Sequence, residues 1–291
     1  TEIYTLSLHD ALPISQKRYF EAYLWGAAGQ LPDESKIFGH EYAPGITAGD
    51  DIFTVMSSDI FRGSAFALGY VNPDNLRGMN IWSDMYKVIR KANLMLARMD
   101  ECQDMTALDR RNYTGYIHFL RGYAYYHILM TCGPAILVGD EIFESNLEGP
   151  AYNTYRATYD ETVEYICSEL ETAAAYLPLK ASIAQFERPT KGAAYALIAR
   201  LRLHAASPLF NGTSTARLYF GNWKRTYDKE YYVNQNYSEE KWALAAAACK
   251  RVIDMNVYEL FTVSKDQNTP QLPAGVPTEN FPDGAGGIDP F

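Results

Sequence analysis

The stretch Arg188-Pro-Thr-Lys-Gly-Ala-Ala-Tyr-Ala-Leu-Ile-Ala-Arg-Leu-Arg-Leu-His-Ala-Ala-Ser-Pro-Leu-Phe-Asn-Gly212 contains a helix together with its punctuation. Pro189 suits a first helical turn, where its missing N–H has no partner to lose. Ala194, Leu197, Leu201 and Ala205 recur at three- and four-residue steps and define one face. Ser207-Pro208 stops the helix, and Asn211-Gly212 turns the chain. The alanine-rich face lets another helix approach closely. No catalytic group is needed to explain this stretch.

Working outward, five more helices follow from apolar spacing. A first runs from about Lys17 to Gly29, with Tyr19, Tyr23 and Leu24 inward and Gly29 closing it. A long connection covers residues 30–77. It is rich in glycine and proline but also in aromatic residues, which argues for a functional loop. The next helix spans about Met79 to Met99, with Trp82, Tyr86, Ile89, Asn93 and Leu96 on one face. Another spans about Ala107 to Met130, presenting Tyr116, Phe119, Tyr123 and Tyr126, and ends at Gly133-Pro134. A fourth, from about Thr154 to Leu177, carries Tyr155, Tyr159, Val163, Ile166, Leu170 and Ala174. The last spans about Ser238 to Met255, with Ser238 as its cap ahead of first-turn acids.

Four segments together resemble the SusD/RagB family, the surface glycan-binding lipoproteins of Bacteroidetes. They are Trp82-Ser-Asp-Met-Tyr-Lys-Val-Ile-Arg-Lys-Ala-Asn93, Arg121-Gly-Tyr-Ala-Tyr-Tyr-His-Ile-Leu-Met-Thr-Cys-Gly-Pro-Ala135, the alanine helix, and Lys241-Trp-Ala-Leu-Ala-Ala-Ala-Ala-Cys-Lys-Arg-Val-Ile-Asp254 with Tyr258-Glu-Leu260 after it. They occur in the family's order between residues 78 and 260. The resemblance implies an all-α fold of tetratricopeptide-like helical repeats with long inserted loops. Regular small residues, and a Trp or Tyr near each helix start, fit such hairpins, although period alone does not specify them.

The ends differ from this body. Residues 1–15 resemble a translated sequencing adapter and are left out of fold reasoning. From residue 262 the chain turns Pro/Gly/Asn/Asp-rich. The expected organisation is therefore an artefactual 1–15, a SusD-like helical-repeat domain at 16–261, and the start of a loop-rich region, truncated, at 262–291.

A net charge of −9 argues against a nucleic-acid partner, because phosphate binding needs a basic face. No run of eighteen apolar residues offers a membrane-spanning helix. Cys102, Cys132, Cys167 and Cys249 read as scattered, mostly buried thiols rather than as a metal site or a disulfide framework.

Catalytic constellations are missing from the sequence: there is no phosphate loop, zinc helix or nucleophile elbow. His127 and His204 fall in packed helices and read as core or interface residues. No catalytic residue, metal ligand or cofactor is expected. A glycosidase would need two carboxylates facing one bond, and nothing points to such a pair.

Sugar binding asks for less: a ring to stack on, with planar amides and an arginine to meet hydroxyls. Residues 58–75 offer Phe61, Arg62, Phe66, Tyr70, Asn72 and Asn75 among pliant glycines. Residues 218–236 offer Trp223 as the largest ring. For both segments the structural alternative is that the aromatics fasten a loop to the helices, and in the second that alternative is favoured. Arg121, Arg188, Lys191 and Arg200 read as capping or interhelical pairing residues.

The resemblance implies non-catalytic glycan capture for delivery to a SusC-like TonB-dependent outer-membrane transporter. It also implies a lipid anchor on the extracellular face of the outer membrane. A peptide-binding relative and a tetratricopeptide protein-interaction adaptor are the alternatives.

Overall fold

The computed structural model describes residues 15–34, 46–50, 52, 62–72, 74–76, 80–143 and 154–260. The expected artefact at 1–14, Phe61 and the loop-rich 262–291 lie outside the described residues. The chain divides into two compact units, Thr1–Met255 and Asn256–Phe291. In the second, residues 256–260 are described and are not helical.

The described residues form eight α-helices and no β-strand: α1 (Lys17–Ala28), α2 (Arg62–Ala67), α3 (Trp82–Arg98), α4 (Ala107–Cys132), α5 (Tyr159–Tyr176), α6 (Lys191–Ala206), α7 (Ser214–Phe220) and α8 (Glu239–Asp254). Threonine sets four of the eight starts. Thr106 and Thr158 each form a full capping box, with Asp109 and Glu161 respectively, and so satisfy two orphan N–H groups reciprocally. Thr190 and Thr213 accept from the third residue beyond them. Pro189 therefore sits before the cap of α6 rather than inside its first turn. Ser238 makes no side-chain cap, and α8 starts one residue after it.

The order of contacts fixes the packing. Between α3 and α4, Tyr86 meets Tyr125 (ring centroids 6.3 Å apart), Asn93 meets Arg121 at 2.8 Å, and the Met99 carbonyl meets Arg110 at 2.9 Å. One number rises as the other falls, so the two helices run antiparallel. The same holds for α4 with α5, through Tyr125–Tyr165 and Arg121–Glu169. It holds again for α5 with α6, through Tyr159–His204 and Glu164–Arg202, and for α6 with α8, through Tyr195–Arg251 and Asn211–Ser238.

Helices α5 and α8 run parallel, tied by Asp160–Lys241 and Glu171–Arg251. Alternating antiparallel neighbours with parallel next-neighbours are the stacking of a helical-repeat array.

The predicted α6 face is buried as read: Ala194, Leu197, Leu201 and Ala205 all lie in the core. Close approach recurs between α4 and α5, where a Cβ on Gly115 would lie 3.0 Å from Leu177 and one on Gly122 3.2 Å from the Glu169 Cβ. The Asn211-Gly212 turn does more than reverse the chain. Asn211 is buried, donates to the Ser238 carbonyl at 2.9 Å and accepts from its N–H at 2.9 Å, which docks the start of α8. Gly212 has φ +58°, and a Cβ there would fall 2.1 Å from the Asn236 carbonyl carbon.

One polar knot crosses the core. Arg121 grips Glu169 with two hydrogen bonds of 2.7 Å and reaches Asn93 (2.8 Å) and Asp140 (2.6 Å). Asn93 in turn donates to the Gly139 and Glu141 carbonyls, and His118 bonds Glu169 at 2.9 Å. Burial opposes the charge on Arg121, but the bonds and charge of Glu169 outweigh it and raise the guanidinium above its ordinary value. Burial likewise opposes the Glu169 charge, and bonds from His118 and Arg121 hold that carboxyl below its usual range. Three helices and the chain after α4 are thereby joined through a satisfied network.

Candidate functional site

The first predicted segment begins with α2, a single short helix that periodicity did not reveal. Gly63, Ser64 and Ala65 face inward, leaving Phe66 outward. The helix closes at Gly69, with φ +71°: Leu68 donates to the Ser64 carbonyl and Tyr70 to the Ala65 carbonyl at 2.8 Å. A tight turn follows. Asn72 and Asn75 exchange backbone hydrogen bonds, and the Asn72 Oδ1 accepts from the N–H groups of Asp74 and Asn75.

The turn thus occupies the acceptor of the Asn72 amide. Phe66 and Tyr70 remain 48% and 50% exposed. Arg62 opens α2.

The second segment is pinned to the helices by a ladder of rings. Phe210 stacks on Tyr159 at 4.3 Å and 6°, Phe220 follows at 5.7 Å, Trp223 lies 6.1 Å beyond it, and Tyr232 packs on Trp223 at 4.7 Å. A Cβ on Gly133 would touch the Trp223 ring at 3.4 Å. Trp223 keeps 37% of its surface open, so most of the ring fastens the excursion.

Past Trp223 the chain folds back. Arg225 is the hub of this reversal: its N–H donates to the Glu230 carbonyl at 2.8 Å, and its guanidinium bonds Glu161, Asp228 and Glu230. The Tyr232 carbonyl accepts from the Tyr159 N–H at 2.7 Å. The excursion is thus anchored at the start of α5. Arg225 and its partners were not singled out in the sequence, because only the fold brings Glu161 to them.

The remaining reactive groups are structural. His204 bonds the Tyr159 hydroxyl at 2.9 Å. His127 is buried, tilted on Tyr123 with ring centroids 4.4 Å apart, and burial pushes its pKa down to about 4. Burial raises the Cys102 thiol to about 11 and Cys167 to about 12, which leaves both protonated and unreactive. Cys249, by contrast, is exposed. Arg188 lies over the Trp25 ring at 4.9 Å and Arg200 pairs with Glu34 at 3.4 Å, roles of the interhelical kind expected for them. Among the described residues no cluster of three His, Cys, Asp or Glu could hold a metal, and no helix is long and apolar enough to cross a membrane.

These features define a helical-repeat protein with aromatic excursions. Residues 48–203, more than half of the chain, match the SusD-like family described as "starch-binding associating with outer membrane", and the chain belongs to that family.

Solved structures agree in fold. A SusD-like protein from Bacteroides fragilis superposes with a TM-score of 0.60 at 20% identity, over 85% of this chain and 40% of its own length. For a SusD homologue from Bacteroides thetaiotaomicron the values are 0.61, 19%, 88% and 44%. For surface glycan-binding protein A from Bacteroides uniformis they are 0.57, 19%, 84% and 48%. The chain therefore spans less than half the length of these relatives. None of the curated proteins matches it significantly.

Proposed function

We propose that this protein captures glycans at the outer-membrane surface without cleaving them and passes them to a SusC-like TonB-dependent transporter, held at the membrane by a lipid anchor. Residues 16–261 are its helical-repeat domain. The ligand platform is the 61–75 segment, with Phe66 and Tyr70 as stacking rings, Asn72 and Asn75 at the turn, and Phe61 and Arg62 as further contacts proposed from the sequence. Trp223 offers an outlying ring.

One observation carries this reading: the family match spans the segment in which Phe66 and Tyr70 stand half exposed. Exposed rings on a short helix and the hydrogen-bonded chain that closes it lose little freedom on binding, which favours stacking on a sugar face.

A glycan-array screen followed by affinity electrophoresis tests it. At least one soluble polysaccharide should retard the protein, and Phe66→Ala with Tyr70→Ala should restore free migration. If no polysaccharide retards the chain, the reading fails; if retardation persists in the double variant, the platform is elsewhere.

A further inference from the structure

Between α5 and residues 230–236 lies an open groove of about 1130 Å³, just above the roughly 300–1,000 Å³ typical of small-ligand clefts. One wall is the outer edge of α5, with Glu161, Glu164 and Ser168. The other is the rim of the excursion, with Tyr231, Asn234 and Asn236.

The charge arrangement decides what such a groove can take. Four carboxylates line it and, among the described residues, no cation does. Each carboxylate nevertheless bonds a cation outside the lining, Asp160 to Lys241, Glu164 to Arg202, and Glu161 and Glu230 to Arg225, but Arg225 also serves Asp228, so the groove keeps an excess of negative charge. An anionic ligand would meet acceptors with no donor cation and would be repelled. A cationic one would be drawn by the excess charge, but each carboxylate it met would already be bonded to Lys241, Arg202 or Arg225. A neutral polyhydroxylated ligand needs neither, since its hydroxyls donate to the carboxylate edges and exchange hydrogen bonds with the amides.

The rim is also fixed in advance. The Asn234 Oδ1 accepts from the Asn236 N–H at 2.9 Å, and Lys224 and Tyr231 form a bridge below it, the ammonium lying 4.2 Å from the ring centroid. The Gln235 amide donates to the Val233 carbonyl at 2.7 Å, while its oxygen has no partner. A preformed rim lowers the ordering cost of binding.

We propose that this groove is a second carbohydrate subsite, separate from the 61–75 platform, that takes a neutral oligosaccharide and rejects uronate-bearing or sulfated ones. The inference rests on the glycan reading above.

Calorimetric titration of the full 291-residue chain with maltoheptaose, laminarin and oligogalacturonate tests it. A neutral glucan should bind, and the oligogalacturonate should bind at least about tenfold more weakly. The pair Tyr231→Ala and Asn236→Ala should weaken the glucan about five- to tenfold, a loss of two modest contacts. Asn236→Ala alone, at an exposed position, replaces the pair if Tyr231→Ala fails to fold, and should still show a loss of about threefold. Unchanged glucan affinity in the groove variants, with a loss in Phe66→Ala/Tyr70→Ala, overturns the groove and leaves the proposed function standing. Equal or tighter oligogalacturonate binding overturns the charge argument. If the unmodified chain binds neither glucan, the neutral-glucan subsite is overturned, whereas the proposed function is decided by the glycan array.

Discussion

Two buried arginines, Arg121 and Arg225, each hold several carboxylates, and what differs between them is how far their main partners reach solvent. The Glu169 partner of Arg121 is 9% exposed, whereas the Glu161 and Glu230 partners of Arg225 are 51% and 59% exposed. The first cluster is buried between α3, α4 and α5 except at Asp140, which stands 86% exposed, and it holds the frame together. The second fastens an excursion at the surface and leaves carboxylate edges facing solvent, where hydroxyls can reach them. Similar chemistry thus makes a rivet in one place and a rim in the other, and burial decides which.

That contrast can be broken first at the rivet. Arg121→Ala leaves the buried Glu169 with only His118 as a partner, so denaturant unfolding should show a loss of about 3–5 kcal/mol. A loss below about 1 kcal/mol, typical of an exposed pair, would contradict the assignment.

The next largest effect is expected at the α6–α7 turn. Gly212→Ala adds a Cβ 2.1 Å from the Asn236 backbone and should cost roughly 1–3 kcal/mol in thermal unfolding. Gly69 also has positive φ but open space around it, so Gly69→Ala should cost less, about 1–2 kcal/mol of backbone strain alone. Equal losses at the two positions would show that the Asn236 contact is unimportant.

Acid should loosen the frame through His127. Its folded pKa is depressed to about 4 from 6.5, so the unfolded chain binds the proton first. Stability should therefore fall as pH drops from 6.5 towards 4, and His127→Phe should flatten that part of the curve. The lowered Glu169 carboxyl adds a loss that begins near the ordinary value of 4.5 and is complete only below it. A His127→Phe profile parallel to that of the unmodified chain would exclude the histidine as the cause.

Smallest is the rim. The partners of Arg225 regain water when it is removed, so Arg225→Ala should cost about 1 kcal/mol or less. A loss as large as that of Arg121→Ala would erase the distinction.

The frame was legible because long helices repeat their signal. Ala194, Leu197, Leu201 and Ala205 mark a buried face along the sixteen-residue α6, and the Tyr86–Ile89–Asn93 spacing marks another. Two short helices, α2 and α7, left no such trace, since six or seven residues complete barely two turns. The start of α5 was read at Thr154 because Tyr155 continues the aromatic spacing. Tyr155 in fact stands outside the helix and exposed. The Thr158-x-x-Glu161 capping box was the stronger signal and was present in the sequence.

Of the proposed platform, Phe66 and Tyr70 stand out in the sequence as aromatic residues of a glycine-rich segment, and their exposure comes from the fold. The Arg225 cluster was not, because it joins residues 64 positions apart and no local pattern encodes that meeting. Asn211-Gly212 lies between these cases: the turn was plain, and its docking onto α8 was not.

The central claim is that the helices carry the stability and the excursions carry the ligand. Hydrogen exchange on the full chain, with and without a bound neutral glucan, tests it most directly. The account predicts slow exchange in α4 and α5 in both states, with added protection confined to residues 62–76 and 230–236. Protection that appears instead along the α6–α8 seam, or in neither excursion, would contradict it.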